Sequence, residues 1–215
     1  MSAVTLRELN DHGIRLAVVE NHLKVAAPSG TLTPELTERI RVSKPALIVS
    51  IRLSELRSRL RHIAEVEVVD TSLIDTLPDA DVLDCELLPE RARRAFVLAL
   101  RDTHLRAQGK CPAGETAPAL CRKCGPVWLA PEVAAHAPII SGWPIVLGCP
   151  WCSCQRQGRG IPRPPVTCAE CIFFVRDSIN PAGGLGTCGK GVEANVPAYP
   201  HAKRQCAEFN PRGPT

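Results

Sequence analysis

Cys121-Arg122-Lys123-Cys124-Gly125 and Cys149-Pro150-Trp151-Cys152 are two Cys-x-x-Cys units with 24 residues between the inner cysteines. Each unit places two thiolates on one side of a tight bend, and two bends complete a tetrahedral shell of four sulfurs around Zn2+. Gly125 permits the close turn after the first pair, with backbone N–H groups facing sulfur. The segment between the units carries Trp128, Pro131, Trp143 and Pro144, which fits a ribbon with an inserted loop. Four cysteines buried merely as small apolar side chains are the alternative, but chance rarely places two such pairs in order.

Toward the C-terminus, Cys168-Ala169-Glu170-Cys171 is followed by Cys188 after 16 residues and by Cys206 after another 17. The shell is again four sulfurs, with one knuckle instead of two. Tetrahedral thiolates suit zinc and iron–sulfur chemistry alike, so the expected occupant is Zn2+ or a [4Fe-4S] cluster. The run Cys171-Ile172-Phe173-Phe174, the turn Gly186-Thr187-Cys188 and the run Cys206-Ala207-Glu208-Phe209 resemble high-potential iron–sulfur proteins. That resemblance implies aromatic rings keeping water from a cluster. Phe173, Phe174 and Phe209 serve equally as the core of a small module. Gln155–Pro165 is rich in Gly, Pro and Arg and reads as a linker between the two sets. Cys85, Cys111 and Cys154 read as packed or idle thiols, with neither Cys154 nor a Cys111–His104 pair favoured as a substitute ligand.

The wider composition supports metal over disulfides. Eleven cysteines cannot all pair, and 20 prolines with only four Phe, three Trp and one Tyr leave little for one large core. The longest apolar runs, Ala46–Ile51 and Ala95–Leu100, fall far short of the roughly 20 residues that span a membrane. Met1–Asp11 lacks the apolar core of a signal peptide. The reading is cytoplasmic, where clustered cysteines ligate metal. Net charge is +4, unevenly spread: ten Lys/Arg and six acids in residues 1–63, nine acids and no base in 64–90, sixteen bases and seven acids from 91 on. The pattern suggests two basic modules separated by an acidic connector.

Residues 1–63 read as an α-β-β-α-α unit. Thr5-Leu6-Arg7-Glu8 fits a capping box, with Ser2 as the other candidate cap, and Gly13 stops the helix. Ile14–Val19 and Leu23–Ala26 form a hairpin about Glu20-Asn21-His22. Thr33-Pro34 caps a second helix. A third is expected from Ser43-Lys44-Pro45 to about His62, with Ile48, Ile51, Leu56, Leu60 and Ile63 inward and Arg52, Arg57, Arg59 and Arg61 facing elsewhere. From Pro89 a basic amphipathic helix runs to Gln108, ended by Gly109.

The order Leu6-Arg7-Glu8-Leu9, Gly13-Ile14-Arg15-Leu16, Leu23-Lys24-Val25, then Ala27-Pro28-Ser29-Gly30-Thr31-Leu32-Thr33-Pro34-Glu35-Leu36 resembles the TubC-type N-terminal docking domain of peptide-synthetase assembly lines. The resemblance covers roughly residues 3–55. It implies a dimeric α-β-β-α-α fold whose hairpin accepts a partner's C-terminal peptide by strand addition. Carried onto this chain, Arg15, Leu16, Leu23, Lys24 and Val25 are the expected partner-binding residues, with Arg15 and Lys24 attracting an acidic tail. The combination also resembles short proteins of bacterial plasmids and integrated elements that fuse such a module to a cysteine-rich tail.

The expected fold class is therefore α+β and multi-module: a docking domain (1–63), an acidic connector (64–88), an amphipathic helix (89–110), a zinc-ribbon-like module (111–155), a linker (156–166) and a second four-cysteine module (167–211). No catalytic residues stand out. Both shells close with four cysteines, His136 and His201 belong to no metallohydrolase motif, and Gly183-Gly184-Leu185-Gly186 lacks the strand-then-helix setting of a phosphate loop. The expected function is a non-catalytic metal-binding adaptor that docks a protein partner through its N-terminal hairpin, in a mobile-element process. The alternatives are a zinc-dependent nucleic-acid-binding protein, using the basic C-terminal part with Trp128, Trp143 or Trp151, and an iron–sulfur redox module.

Overall fold

The computed structural model describes residues 4–20, 22–192 and 197–213, which fall into two compact units divided between Arg101 and Asp102. In the first, α1 (Leu6–Asp11) starts at Thr5, whose hydroxyl accepts the Glu8 N–H at 3.3 Å, and stops before Gly13 at φ 71°. The rival cap Ser2 lies outside the described residues. Strands β1 (Arg15–Val19) and β2 (His22–Ala26) pair antiparallel, with Leu16 opposite Val25 and Ala17 opposite Lys24. The alternating pattern predicts this register, because one face must meet the core.

The sequence break at Pro45 does not break the chain. A single helix, α2, runs from Pro34 to Val66, capped by Thr33, whose hydroxyl accepts the Leu36 N–H at 3.2 Å. The expected two helices are thus one, and the docking fold reads α-β-β-α before the helix continues. An interior proline loses one backbone bond and costs about 3 kcal/mol in an isolated helix. Here Pro45 faces solvent, while Ile40, Ser43, Leu47 and Ile51 are buried on both sides of it. The Ser43 hydroxyl also accepts the Val4 N–H at 3.1 Å. Packing on either side outweighs one missing bond.

The acidic connector is not a connector. Residues 67–89 fold into α3 (Ser72–Asp75) and α4 (Asp79–Asp84) and bury Val69, Ile74, Val82 and Cys85 against Leu56, Leu60 and Ile63 of α2 and Val97 of α5 (Glu90–Ala107). The uneven charge has a local cause. Asp75 pairs with Arg61, Asp79 with Arg57 and Glu67 with Arg94, at 2.6–2.8 Å. Helix α5 ends at Gly109, φ 72°, as the sequence predicts. Among the described residues no helix is long and apolar enough to cross a membrane.

The second unit is built on a four-stranded sheet in the order β4-β3-β6-β5, from β3 (Ala117–Cys121), β4 (Gly125–Leu129), β5 (Ile139–Ile140) and β6 (Trp143–Val146). Helix α6 (Pro131–Ala135) lies between β4 and β5, and β6 runs parallel to β3. After α7 (Cys152–Arg156), β7 (Val166–Thr167) pairs with β10 (Lys203–Arg204), and β8 (Phe174–Arg176) with β9 (Gly186–Cys188). Residues 157–165 form no helix or strand; residues 157–160 are exposed, while residues 161–164 pack against the unit. Pro164 is fully buried, and Arg163 donates to the carbonyls of Cys124 and Pro126.

Candidate metal centre

The parallel pairing of β3 and β6 brings the two knuckles together. Cys121 closes β3 and Cys124 precedes β4. Because β6 runs alongside β3 in the same direction, with Val146 opposite Cys121, it delivers Cys149 and Cys152 to the same end of the sheet. The Arg122 N–H donates to the Val146 carbonyl at 2.9 Å, tying one knuckle to the approach of the other. Gly125 takes φ 75°, and a Cβ there would stand 2.1 Å from the Ala207 carbonyl oxygen. No side chain fits, so the knuckle glycine is required twice over.

All four ligand sulfurs lie within 4.8 Å of one another. Cys124 to Cys152 is 3.3 Å, Cys121 to Cys152 and Cys149 to Cys124 are 3.7 Å, and Cys149 to Cys152 is 3.8 Å. A tetrahedron with metal–sulfur bonds of ~2.3 Å has edges of ~3.8 Å, whereas a disulfide needs about 2.05 Å. The separations match a closed S4 shell around one ion and exclude bonded sulfur pairs. Backbone N–H groups face the sulfurs as expected: Lys123 donates to Cys121 at 3.4 Å and Cys149 to Cys152 at 3.3 Å.

Electrostatics divide the four thiols unequally. Burial pushes Cys124 up to about 12, helped by its hydrogen bond to Cys152, and burial raises Cys149 too. Burial also opposes ionisation of Cys152, but the Cys149 N–H and the thiols of Cys124, Cys121 and Cys149 outweigh it and bring Cys152 down to about 7. The surrounding N–H and S–H groups thus favour the ionised form of Cys152. A divalent ion held by these cysteines would displace thiol protons, so its uptake would be linked to proton release.

A buried network stands behind the second knuckle. Trp151 is fully buried, and its indole N–H donates to Glu115 Oε2 at 3.0 Å and to the Trp128 carbonyl at 3.2 Å. Glu115, 8% exposed, is held by Arg106 Nη2 at 2.7 Å. Nothing in the sequence marks Glu115, since an acid nine residues from its arginine follows no helical or strand period. Cys154 donates to the Arg106 carbonyl and Cys111 to the Glu115 carbonyl, while His104 meets Gln108, so none of the three joins the shell. Burial, then the Glu115 charge, pushes Cys111 up to about 11. His136 bonds the Glu132 carbonyl.

The second cysteine set converges less tightly. Among the described residues, the first four cysteines are the group that meets the 4.8 Å separation. Cys168, Cys171, Cys188 and Cys206 instead line one small cavity together with Phe174 and Phe209. Strand pairing accounts for part of this: Phe174 pairs with Cys188, whereas the antiparallel β7–β10 register, with Val166 opposite Arg204, sends Cys168 and Cys206 off opposite ends of that ladder. Burial raises Cys168 and Cys206. Arg163 is pulled down by burial and up by Cys124, Cys206, Cys149 and Glu208, so it feels thiols of both sets.

The expected partner-binding residues divide between the hairpin's two faces. Arg15 and Lys24 lie on the exposed face, whereas Leu16 and Leu23 pack against the core of Leu9, Ile14 and Ile40. Val25, opposite Leu16, is 38% exposed. Residues 5–49 match the family model of the TubC N-terminal docking domain, which spans α1, the hairpin and the first half of α2. No curated protein and no solved structure matches the chain.

Proposed function

We propose that the chain is a non-catalytic adaptor: its N-terminal hairpin captures a partner peptide, and its cysteine-rich unit is a rigid body built around structural zinc. The docking-domain match over residues 5–49 carries the docking half of this reading. The S4 geometry at Cys121, Cys124, Cys149 and Cys152 carries the metal half. Four thiolates leave no open position for substrate, and zinc in such a closed site contributes folding energy rather than chemistry. The second cysteine set is read as a further metal site, for Zn2+ or an iron–sulfur cluster.

In this reading the peptide adds as a strand beside β1 or β2. Main-chain bonds supply affinity, and Arg15 and Lys24 select an acidic sequence. The test is an amide NMR titration of the full chain with a panel of acidic, β-prone peptides. Shifts confined to residues 14–26 and abolished by R15E/K24E are the expected result. Unchanged binding in R15E/K24E, or shifts that avoid the hairpin, would remove the docking reading.

The nucleic-acid reading keeps one supporting observation, a cleft of about 440 Å³ beside the first knuckle whose lining includes Arg122, Lys123 and Lys190. The stacking surface it calls for is largely spent: Trp151 is buried and Trp143 lies against Phe209, ring centres 5.3 Å apart. Phosphate contact alone predicts a steep loss of affinity with salt. Absence of DNA and RNA binding at low salt ends that reading.

A further inference from the structure

We infer that Cys168, Cys171, Cys188 and Cys206 form a second site that takes a single tetrahedral ion, not a cluster. This goes beyond the adaptor reading and stands or falls separately from peptide docking.

Three parts of the chain carry the four sulfurs, and each is held by its own backbone bonds. The turn Cys168–Glu170 follows β7, and the Cys171 N–H donates to the Cys168 carbonyl at 3.0 Å, forming a compact knuckle. Arg212 clamps that knuckle from outside, donating to the carbonyls of Cys171 and Phe174 at 2.8 Å. Cys188 ends β9, opposite Phe174 on β8. Gly186 makes this hairpin possible, since a Cβ there would meet the Val175 carbonyl oxygen at 2.3 Å and the Phe174 ring at 2.6 Å. Cys206 lies two residues beyond β10 and packs against Val166, Cys171 and Phe209. Four cysteines from three separate segments meeting in one cavity is a donor set, not a packing accident of one segment.

The cavity's size decides between the two occupants. Its volume is about 20 Å³, small against the roughly 150 Å³ of an apolar cavity that holds benzene. One ion fits. A cubane of four irons and four sulfides does not, unless Val166, Phe174 and Phe209, which fill the rest of the space, are displaced. Phe209 is 4% exposed and packs on Trp143, so its ring is not free to swing aside. The sulfurs stand wider than those of the first site, and an ion binding them at ~2.3 Å draws them inward. Arg204 and Glu208 also line the cavity, so one cation and one anion face a shell whose net charge with a divalent ion is negative.

The test is titration of the reduced, metal-free full chain with Co2+, read by the visible d–d bands of tetrahedral thiolate-bound cobalt. Saturation at about two equivalents is expected for the wild type, and at about one for C188S/C206S. Saturation of the wild type at one equivalent, with C188S/C206S unaltered, overturns the proposal. Should the first site be the one that fails, the single wild-type equivalent disappears in C188S/C206S, which separates the two failures. Anaerobic incubation of the wild type with iron and sulfide is expected to give no stable brown protein. A brown product lost in C188S/C206S would establish a cluster and overturn the single-ion assignment. If C188S/C206S fails to fold, the wild-type stoichiometry and the iron–sulfide result still decide.

Discussion

The two units solve the same problem by different means. The first buries aliphatic side chains along a helix of 33 residues, so each turn of α2 contributes contacts to one of two cores, around Leu9 and Ile40 or around Leu60 and Val97. The second has strands of two to five residues, and its two cores contain four of its own cysteines among the buried residues. Short strands expose most of their surface and bury little apolar area per residue, so they need staples. Where apolar periodicity is long, packing holds the chain; where it is short, thiols do.

The largest expected effect breaks the comparison at the staples. In C121S/C124S the second unit is expected to lose cooperative unfolding and at least one metal ion per chain. Apparent metal-binding energies of ~10–16 kcal/mol in small zinc domains far exceed what its short strands supply. All three tryptophans, at 128, 143 and 151, lie in this unit. Their emission should therefore shift to the red while far-ultraviolet dichroism retains the helical signal of α2. Unchanged metal content and melting would show that the ribbon is held by packing after all.

Leu60→Ala is the mirror experiment. Leu60 is fully buried at the centre of the helical core, and truncating such a leucine costs about 2–5 kcal/mol. Chemical denaturation followed by dichroism should show that loss with metal content untouched. Loss of metal in L60A would mean that the units do not hold separately.

Legibility followed the same division. The knuckle spacing announced the first four-cysteine cluster because ligand chemistry fixes local sequence. Thr5, Thr33 and Gly109 announced helix ends because caps are local as well. Pro45 misled, since a local rule was overruled by Ile40 and Leu47 packing on either side. The acidic segment misled for the converse reason: Asp75 and Asp79 are partnered with Arg61 and Arg57, far along the sequence, and no period in residues 64–88 shows it. The Glu115–Trp151 bond was illegible on the same grounds.

Gly125→Ala probes where the staple meets the packing. The residue has φ 75°, which costs a non-glycine residue ~1–2 kcal/mol by itself, and the Ala207 carbonyl blocks the new methyl. Weaker metal retention in competition with a chelator is the expected outcome, measured at equal protein concentration. An unchanged chelator midpoint would show that the knuckle can retreat from Ala207 at no cost.

The smallest effects test whether ion pairs, rather than apolar burial, anchor the acidic helices. Arg57 is largely buried, 18% exposed, and donates to the carbonyls of Ile74 and Leu77 at 2.7 Å as well as to Asp79. Arg61 and Asp75 are 44% and 50% exposed and pair with each other near solvent. Arg57→Ala should therefore cost ~1–3 kcal/mol, because two carbonyls lose a charged donor. Arg61→Ala should cost ~0–1 kcal/mol and less still in high salt. Denaturation midpoints of the two variants at low and high salt separate these terms. Equal losses that both fade with salt would assign the anchoring to surface charge, and the helical core would then owe less to Ile74 and Val82 than their burial implies.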